Sequence, residues 1–255
     1  MSKTLNITAV SYLNTIPFVF GLMHAANSNS FNLQLDYPAE CARKLLNNEV
    51  DIGLVPLYAI LNKPEYRLIS DYCIGAVNDV RTVALLSNAE LSGITRVYLD
   101  SHSKTSVNLV KVLAKYYWKC NFEWINANVT EMANSLLTNE AILAIGDKVF
   151  ELEKGVSHKL DLAKEWQQFT GLPMVFAVWV TSKHLPEKLV SEFNSALEYG
   201  VSNIPNAVSR LNGLSIPNKE AIAYLTSNIS YTLDKPKKDA IALFEHYVNQ
   251  FETIK

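Results

Sequence analysis

Leu5-Asn6-Ile7-Thr8-Ala9-Val10 alternates apolar and polar residues, the two-residue period of a strand. Ser11-Tyr12-Leu13-Asn14-Thr15-Ile16-Pro17-Phe18 follows at once. Pro17 then opens a helical stretch through Phe18, Phe20 and Leu22. Proline suits a first helical position, where its missing N–H would have no partner anyway. The first eighteen or so residues therefore read strand, polar loop, helix. In an α/β protein, a polar loop after a strand and before a helix is the usual place for a ligand.

The pattern repeats outward from there. Phe31 to Tyr37 alternates as a strand, and Pro38 starts a helix with Cys41, Ala42, Leu45 and Leu46 on its apolar side. Asp51 to Leu57 is a short, mostly apolar run of the kind buried in parallel sheets. Arg67 to Gly75 reads as a further strand. The βαβαβ order predicts a parallel sheet with right-handed crossovers. Val83–Leu86 and Val97–Asp100 are again strand-like, followed by the polar turn Ser101 to Ser106. The next helix turns Val107, Val110, Ala114 and Tyr117 inward and Lys111, Lys115 and Lys119 to water.

Phe122–Ile125 and Ala141–Gly146 read as two more strands, the second ending in Gly146-Asp147. Met174 to Val180 is apolar on both faces and should be buried on both sides, after Thr170-Gly171-Leu172-Pro173. The remainder reads as helical, with Leu189, Val190, Phe193 and Leu197 on one helix. Ile241, Phe244, Val248 and Phe251 lie on the last. Two similar α/β units with a helical tail predict two lobes: 1–80 with 180–255, and 81–179. The chain should cross near Val77–Val83 and return near Val175–Ser182, the C-terminal helices rejoining the first lobe. Each lobe is expected to be a mainly parallel sheet flanked by helices, with the ligand cleft between lobes at the carboxyl ends of strands.

Composition narrows the chemistry. The chain has 255 residues, 49% apolar and 19% charged, with a net charge of −2 and no basic run longer than a pair. Nucleic acid is therefore not an expected partner, and an anionic ligand must be held by local donors rather than a global field. Cys41, Cys73 and Cys120 are odd in number, scattered and without a CxxC, as for thiols in a reducing cytosol. Met1 to Asn6 shows no secretory pattern and no window approaches the ~20 apolar residues of a membrane span. The expected location is cytoplasmic, with no membrane partner. No GxGxxG, GxxxxGK[ST] or GxSxG occurs. His24, His102, His158, His184 and His246 show no HxxxH spacing and no cysteine companions. That leaves a binding protein, or an enzyme whose reaction needs mainly positioning.

Four stretches together resemble the chorismate dehydratases of the futalosine route to menaquinone. They are Ser11-Tyr12-Leu13-Asn14 with Pro17-Phe18, Asp51 to Pro56, Leu99-Asp100 through Thr105-Ser106, and Thr170-Gly171-Leu172-Pro173 through Phe176-Ala177-Val178-Trp179. The resemblance covers nearly the whole chain in order and spacing. It implies the fold of type II periplasmic binding proteins, with two α/β lobes and no metal or organic cofactor. It also implies a small dianionic substrate, chorismate, which loses water to give 3-(1-carboxyvinyloxy)benzoate. Monomer and dimer both fit it. Thr82 stands where the family usually has Ser, Lys104 where Arg is common, and Met174 where Phe is common. Lys104 cannot make the bidentate carboxylate contact of an Arg.

The candidate substrate-binding residues are Tyr12, Asn14, Pro56, Thr82, Ser103, Thr105, Ser106, Asp147, Thr170, Gly171 and Leu172. Ser103, Thr105 and Ser106 at a helix start serve as caps, each cap worth about 1 kcal/mol, or hold a substrate carboxylate with the free N–H groups. Thr170-Gly171 is either a turn that uses glycine's positive φ or a cleft lining. Asn14 either satisfies its own loop or hydrogen-bonds the substrate's hydroxyl or carboxylate. Asp147 reads as a cap of the helix after Gly146, or else as a general base. Arg81 reads as a solvated crossing residue, and Trp166, Phe176 and Trp179 as core.

The implied dehydration removes the C3 hydrogen and the C4 hydroxyl of a cyclohexadiene and yields an aromatic ring. It requires two fixed carboxylates, an oriented C–H bond and assistance to the departing hydroxide. No quoted motif supplies an evident base, so the substrate's own enolpyruvyl carboxylate is expected to take the proton, with Asn14 as the orienting group. Two alternatives share the fold. 1,4-Dihydroxy-6-naphthoate synthase carries a Cys-Pro-Asn-type loop where this chain has Ser11 to Asn14. A non-catalytic small-anion-binding protein of a transporter would be exported.

Overall fold

The computed structural model describes residues 4–25, 30–100 and 103–252. Ser101 and His102 of the expected polar turn lie outside the described residues. The chain divides into two compact units, Met1–Gly75 with Val175–Lys235, and Ala76–Met174 with Pro236–Lys255.

The first unit is built on β1 (Leu5–Val10), which a short 3₁₀ turn at Leu13–Thr15 joins to α1 (Ile16–His24). β2 (Phe31–Asp36), α2 (Pro38–Leu46), β3 (Ile52–Pro56) and β4 (Arg67–Ala76) follow. Pro17 and Pro38 sit in the first turns of α1 and α2, where a missing N–H costs nothing. β1 runs parallel to β2 on one side and β3 on the other, Val10 lying opposite Asp36. β3 is buried along its whole length, as its unbroken apolar run requires.

The second unit contains β5 (Val83–Ser87), β6 (Arg96–Leu99), α3 (Lys104–Val112), β7 (Glu123–Asn126) and α4 (Val129–Ala133). It continues through β8 (Glu140–Ile145), α5 (Val149–Leu152), β9 (His158–Asp161) and α6 (Leu162–Thr170). β10 (Met174–Thr181) then enters the first sheet and is buried at every position, as expected of a run apolar on both faces. α7 (Glu187–Ser202), α8 (Ile204–Ser209), α9 (Asn218–Ala223) and β11 (Ser230–Thr232) complete the first unit, and α10 (Lys235–Glu252) ends the chain.

The sheet orders are β11-β4-β10-β3-β1-β2 and β7-β6-β8-β5-β9. Within the β1-α1-β2-α2-β3 and β6-α3-β7-α4-β8 runs the paired strands are parallel: β1–β2, β1–β3, β6–β7 and β6–β8. β10–β3, β11–β4, β5–β8 and β5–β9 are antiparallel, so each sheet is mixed rather than mainly parallel. A crossover helix fixes parallel direction only between the strands it joins, and β10 reaches β3 by no such crossover. Two short edge strands, β9 and β11, fall where no strand was expected; β11 interrupts a stretch read as helical. The last helix also differs from expectation. α10 belongs to the second unit, where Phe244 and Tyr247 meet Trp166 at 5.9 and 6.2 Å and Tyr247 meets Phe169 at 5.3 Å. The edge-on packing of Trp166 with Phe244 and Tyr247 is worth more than the area it buries. Among the described residues no helix is long and apolar enough to cross a membrane.

α1 and α7 touch through their backbones. A Cβ placed on Gly21 would lie 1.9 Å from the carbonyl oxygen of Ala196, and one on Gly200 would lie 1.8 Å from that of Pro17. Nothing flexible is available to give way, so the helices would have to separate. Gly21→Ala and Gly200→Ala should each destabilise the protein by about 3 kcal/mol, the upper range for overpacking. A fall in the urea midpoint at unchanged m-value would register it.

Candidate functional site

In the first unit, β1 and β3 run parallel, so the loop after Val10 and the residue Pro56 lie at the same sheet edge. Pro56 is buried and opposite Ala177. The Ser11 N–H donates to the Asp36 carbonyl at 2.9 Å, tying the loop to the neighbouring strand. Tyr12 is extended, with φ −110° and ψ 160°, and its carbonyl accepts the Thr15 N–H at 3.0 Å. Asn14 is half-buried; its Oδ1 accepts the Thr15 hydroxyl at 3.3 Å. Its main-chain carbonyl accepts the Tyr231 hydroxyl at 2.9 Å. Burial holds that phenol well above the usual tyrosine range, so it stays a donor. Behind the loop, Phe18 is fully buried, with Tyr231, Trp179 and Tyr72 meeting its ring at 5.1, 5.7 and 6.2 Å.

In the second unit, the antiparallel pair β5–β8 puts the start of β5 beside the end of β8, with Val83 opposite Ile145. The Gly146 N–H donates to the Thr82 carbonyl at 2.9 Å. β6 runs parallel to β8, so Asp100 and the start of α3 emerge at this edge too. The edge thus gathers Thr82, Ser103, Thr105, Ser106 and Asp147. Ser103 caps α3, accepting the Ser106 N–H at 3.3 Å, and its hydroxyl lies 3.0 Å from that of Ser106. Ser103, Thr105 and Ser106 are all buried, whereas Lys104 is exposed. Gly146 has φ 71°, a backbone setting that glycine reaches without strain. The Asp147 carbonyl accepts the Phe150 N–H at 3.2 Å.

Thr170, Gly171 and Leu172 lie at the end of the nine-residue α6, whose start Asp161 caps. The Thr170 hydroxyl donates to the Trp166 carbonyl at 2.8 Å and accepts the Leu172 N–H at 3.1 Å. With Gly171 at φ 74°, this is a helix-terminating turn that uses its own polar groups. Trp166, Phe176 and Trp179 are core. Arg81 is not a solvated residue. It has φ 68°, lies over the Phe150 ring at 5.0 Å and pairs with Glu153 at 3.5 Å.

Two arrangements escaped the sequence reading. The buried Asp100 pairs with Lys148, whose side chain is partly exposed, joining the ends of β6 and β8. Asp161 accepts four backbone N–H bonds, from Val80 at 3.1 Å, Arg81 at 2.6 Å, Ala163 at 3.0 Å and Lys164 at 3.2 Å. Burial pushes its carboxyl up from the usual value, against the pull of the Val80, Arg81 and Lys164 donors. An aspartate just ahead of an amphipathic run is a cap signal. Its reach back to residues 80 and 81 has no local signature. Burial pushes the Cys41 thiol up to about 12, away from the reactive thiolate. Among the described residues, no three His, Cys, Asp or Glu side chains gather as metal ligands.

Known proteins match this architecture from end to end. A family model described as menaquinone biosynthesis matches residues 5–250. The chorismate dehydratase of Thermus thermophilus is 26% identical over 260 residues, covering 89% of this chain and 94% of the relative. Among solved structures, a protein of Archaeoglobus fulgidus superposes with a TM-score of 0.76 at 14% identity, covering 99% of this chain and 98% of its own. The periplasmic aliphatic sulphonate binding protein SsuA of Escherichia coli gives 0.67 at 12% identity, covering 99% and 93%. These likenesses establish a periplasmic-binding-protein-like fold. With a match spanning nearly its full length, the chain belongs to the menaquinone biosynthesis family.

Proposed function

We propose that this protein dehydrates chorismate to 3-(1-carboxyvinyloxy)benzoate. The observation that carries the reading is the near full-length similarity to a chorismate dehydratase, beside a menaquinone biosynthesis family match whose span, 5–250, contains the Ser11–Phe18 loop. The reaction breaks the C3–H and C4–O bonds, releases water and leaves an aromatic ring. No net oxidation occurs, so binding, orientation and proton transfer suffice as the demands on the protein. The electron pair left at C3 is conjugated to the ring carboxylate, and fixed donors on that carboxylate lower the barrier.

The α3 start fits that task. A helix N-terminus directs N–H groups and the positive end of its dipole at an anion, and Ser103, Thr105 and Ser106 add hydroxyls. Thr82 and Asp147 line the same edge. In the first unit, Tyr12 and Pro56 flank Asn14, and the Asn14 amide orients the enolpyruvyl carboxylate that removes the C3 proton. Catalysis by a substrate carboxylate leaves Asn14 a positioning task, for which an uncharged amide suits better than an ionised group. The enzyme is then a hydro-lyase acting without a cofactor, in the cytoplasm where chorismate is made.

Incubation with chorismate should yield a product 18 mass units lighter by mass spectrometry, the mass of one water; folded protein without that product would exclude this reaction. Asn14→Ala should lower kcat/KM by about a hundredfold, the scale of lost orientation, and unchanged kinetics would remove Asn14 from the mechanism. Asp147→Asn should keep turnover within about tenfold of wild type, below the usual contribution of a general base. Lost turnover with intact chorismate binding would make Asp147 the base instead.

A further inference from the structure

Tyr231 lies 217 residues from Asn14 in sequence, yet its hydroxyl reaches the Asn14 carbonyl at 2.9 Å. The contact clamps a single peptide unit at both ends. Tyr231 holds the carbonyl of the Asn14–Thr15 peptide, and the Tyr12 carbonyl holds its N–H at 3.0 Å. With that plane fixed, the buried Thr15 presents its hydroxyl to Asn14 Oδ1 at 3.3 Å and sets the amide's direction. Among the described residues no protein acceptor takes the Asn14 Nδ2 donors. The orientation of the side chain thus comes from Thr15, and that of Thr15 from the clamped peptide.

A second observation concerns how Tyr231 reaches the loop. β11 pairs with β4 through Ser230 opposite Gly75 and Thr232 opposite Tyr72. Two steps along β11 therefore match three along β4, which places one extra residue in β4. Cys73 lies in that widened interval, its Sγ 3.9 Å from the carbonyl oxygens of both Ser230 and Thr232. A bulge bends and twists its strand pair and re-aims the side chain beside it, and such irregularities gather next to active sites. Here the residue between the two mismatched pairs is Tyr231. Its ring meets Phe18 edge-on at 5.1 Å, which leaves the hydroxyl little freedom.

We propose that Tyr231 is a positioning residue for the dehydration, holding the Asn14–Thr15 peptide so that the Asn14 amide is presented to the substrate. The inference rests on the dehydratase reading above. It differs from a packing role because packing needs the ring and positioning needs the hydroxyl.

Tyr231→Phe separates the two, since it keeps the ring and removes one hydrogen bond. Steady-state kinetics with chorismate should be measured for wild type, Tyr231→Phe, Asn14→Ala and the double variant, with thermal melts of each. Tyr231→Phe should lower kcat about tenfold or more while KM stays within about twofold, because the lost quantity is orientation rather than binding. The double variant should be no more than about twofold slower than Asn14→Ala, because Tyr231 acts through Asn14. Wild-type kcat in Tyr231→Phe, a rise in KM alone, or losses that multiply in the double variant would overturn the proposal. Loss of the fold in Tyr231→Phe would also overturn it, by making the residue one of stability. Wild-type protein without turnover would instead remove the dehydratase reading, and this inference with it.

Discussion

The backbone contact between α1 and α7 fixes where the first unit can present its loop. Gly200 rests against the carbonyl of Pro17, in the first turn of α1, so the start of that helix has one allowed depth. Immediately before it come Asn14 and Thr15, and immediately after it comes Phe18, buried against Tyr231, Trp179 and Tyr72. A side chain at either glycine would move the helix start, and the polar loop would move with it. Close packing therefore sets the position of the polar groups, and hydrogen bonds set only their direction.

The second unit solves a related problem by other means. Its sheet edge carries Thr82, the Ser103–Ser106 helix start and Asp147 on three segments, and each makes a hydrogen bond that involves the backbone. Asp161 gathers Val80 and Arg81 to the start of α6, and Gly146 donates to Thr82. The buried Asp100 neutralises Lys148 at the same edge. Removing one partner of such a pair leaves an uncompensated charge, which costs more than the pair contributes. Polar groups held this way are preorganised, the condition under which fixed donors stabilise developing charge best.

Local pattern carried much of this into the sequence. The alternation of Leu5 to Val10, the unbroken apolar runs of β3 and β10, Pro17, Pro38 and the Ser103 cap all act within a few residues, and all are readable by period or by cap. What escaped depends on partners far along the chain. β9 and β11 are short edge strands whose polar sequences acquire strand geometry only from β5 and β4. α10 shows an apolar stripe but not its destination; Trp166 and Phe169 supply that. Arg81 looks solvated until Phe150 and Glu153 are brought to it. Thr170-Gly171 ends α6, and the two bonds of the Thr170 hydroxyl, to Trp166 and from Leu172, have no signature in its letters.

The hydrogen bond from Tyr231 to Asn14 also carries a consequence for how the protein comes into being. Contacts between residues so distant in sequence require closure of a long loop and form late in folding. On a ribosome, β1, its loop and α1 emerge well before β11, which carries the donor for Asn14. This loop, made long before β11, is thus among the last parts of the chain to acquire its final conformation, and a chain released before β11 would carry the Ser11–Phe18 motif without the Tyr231 hydrogen bond to Asn14.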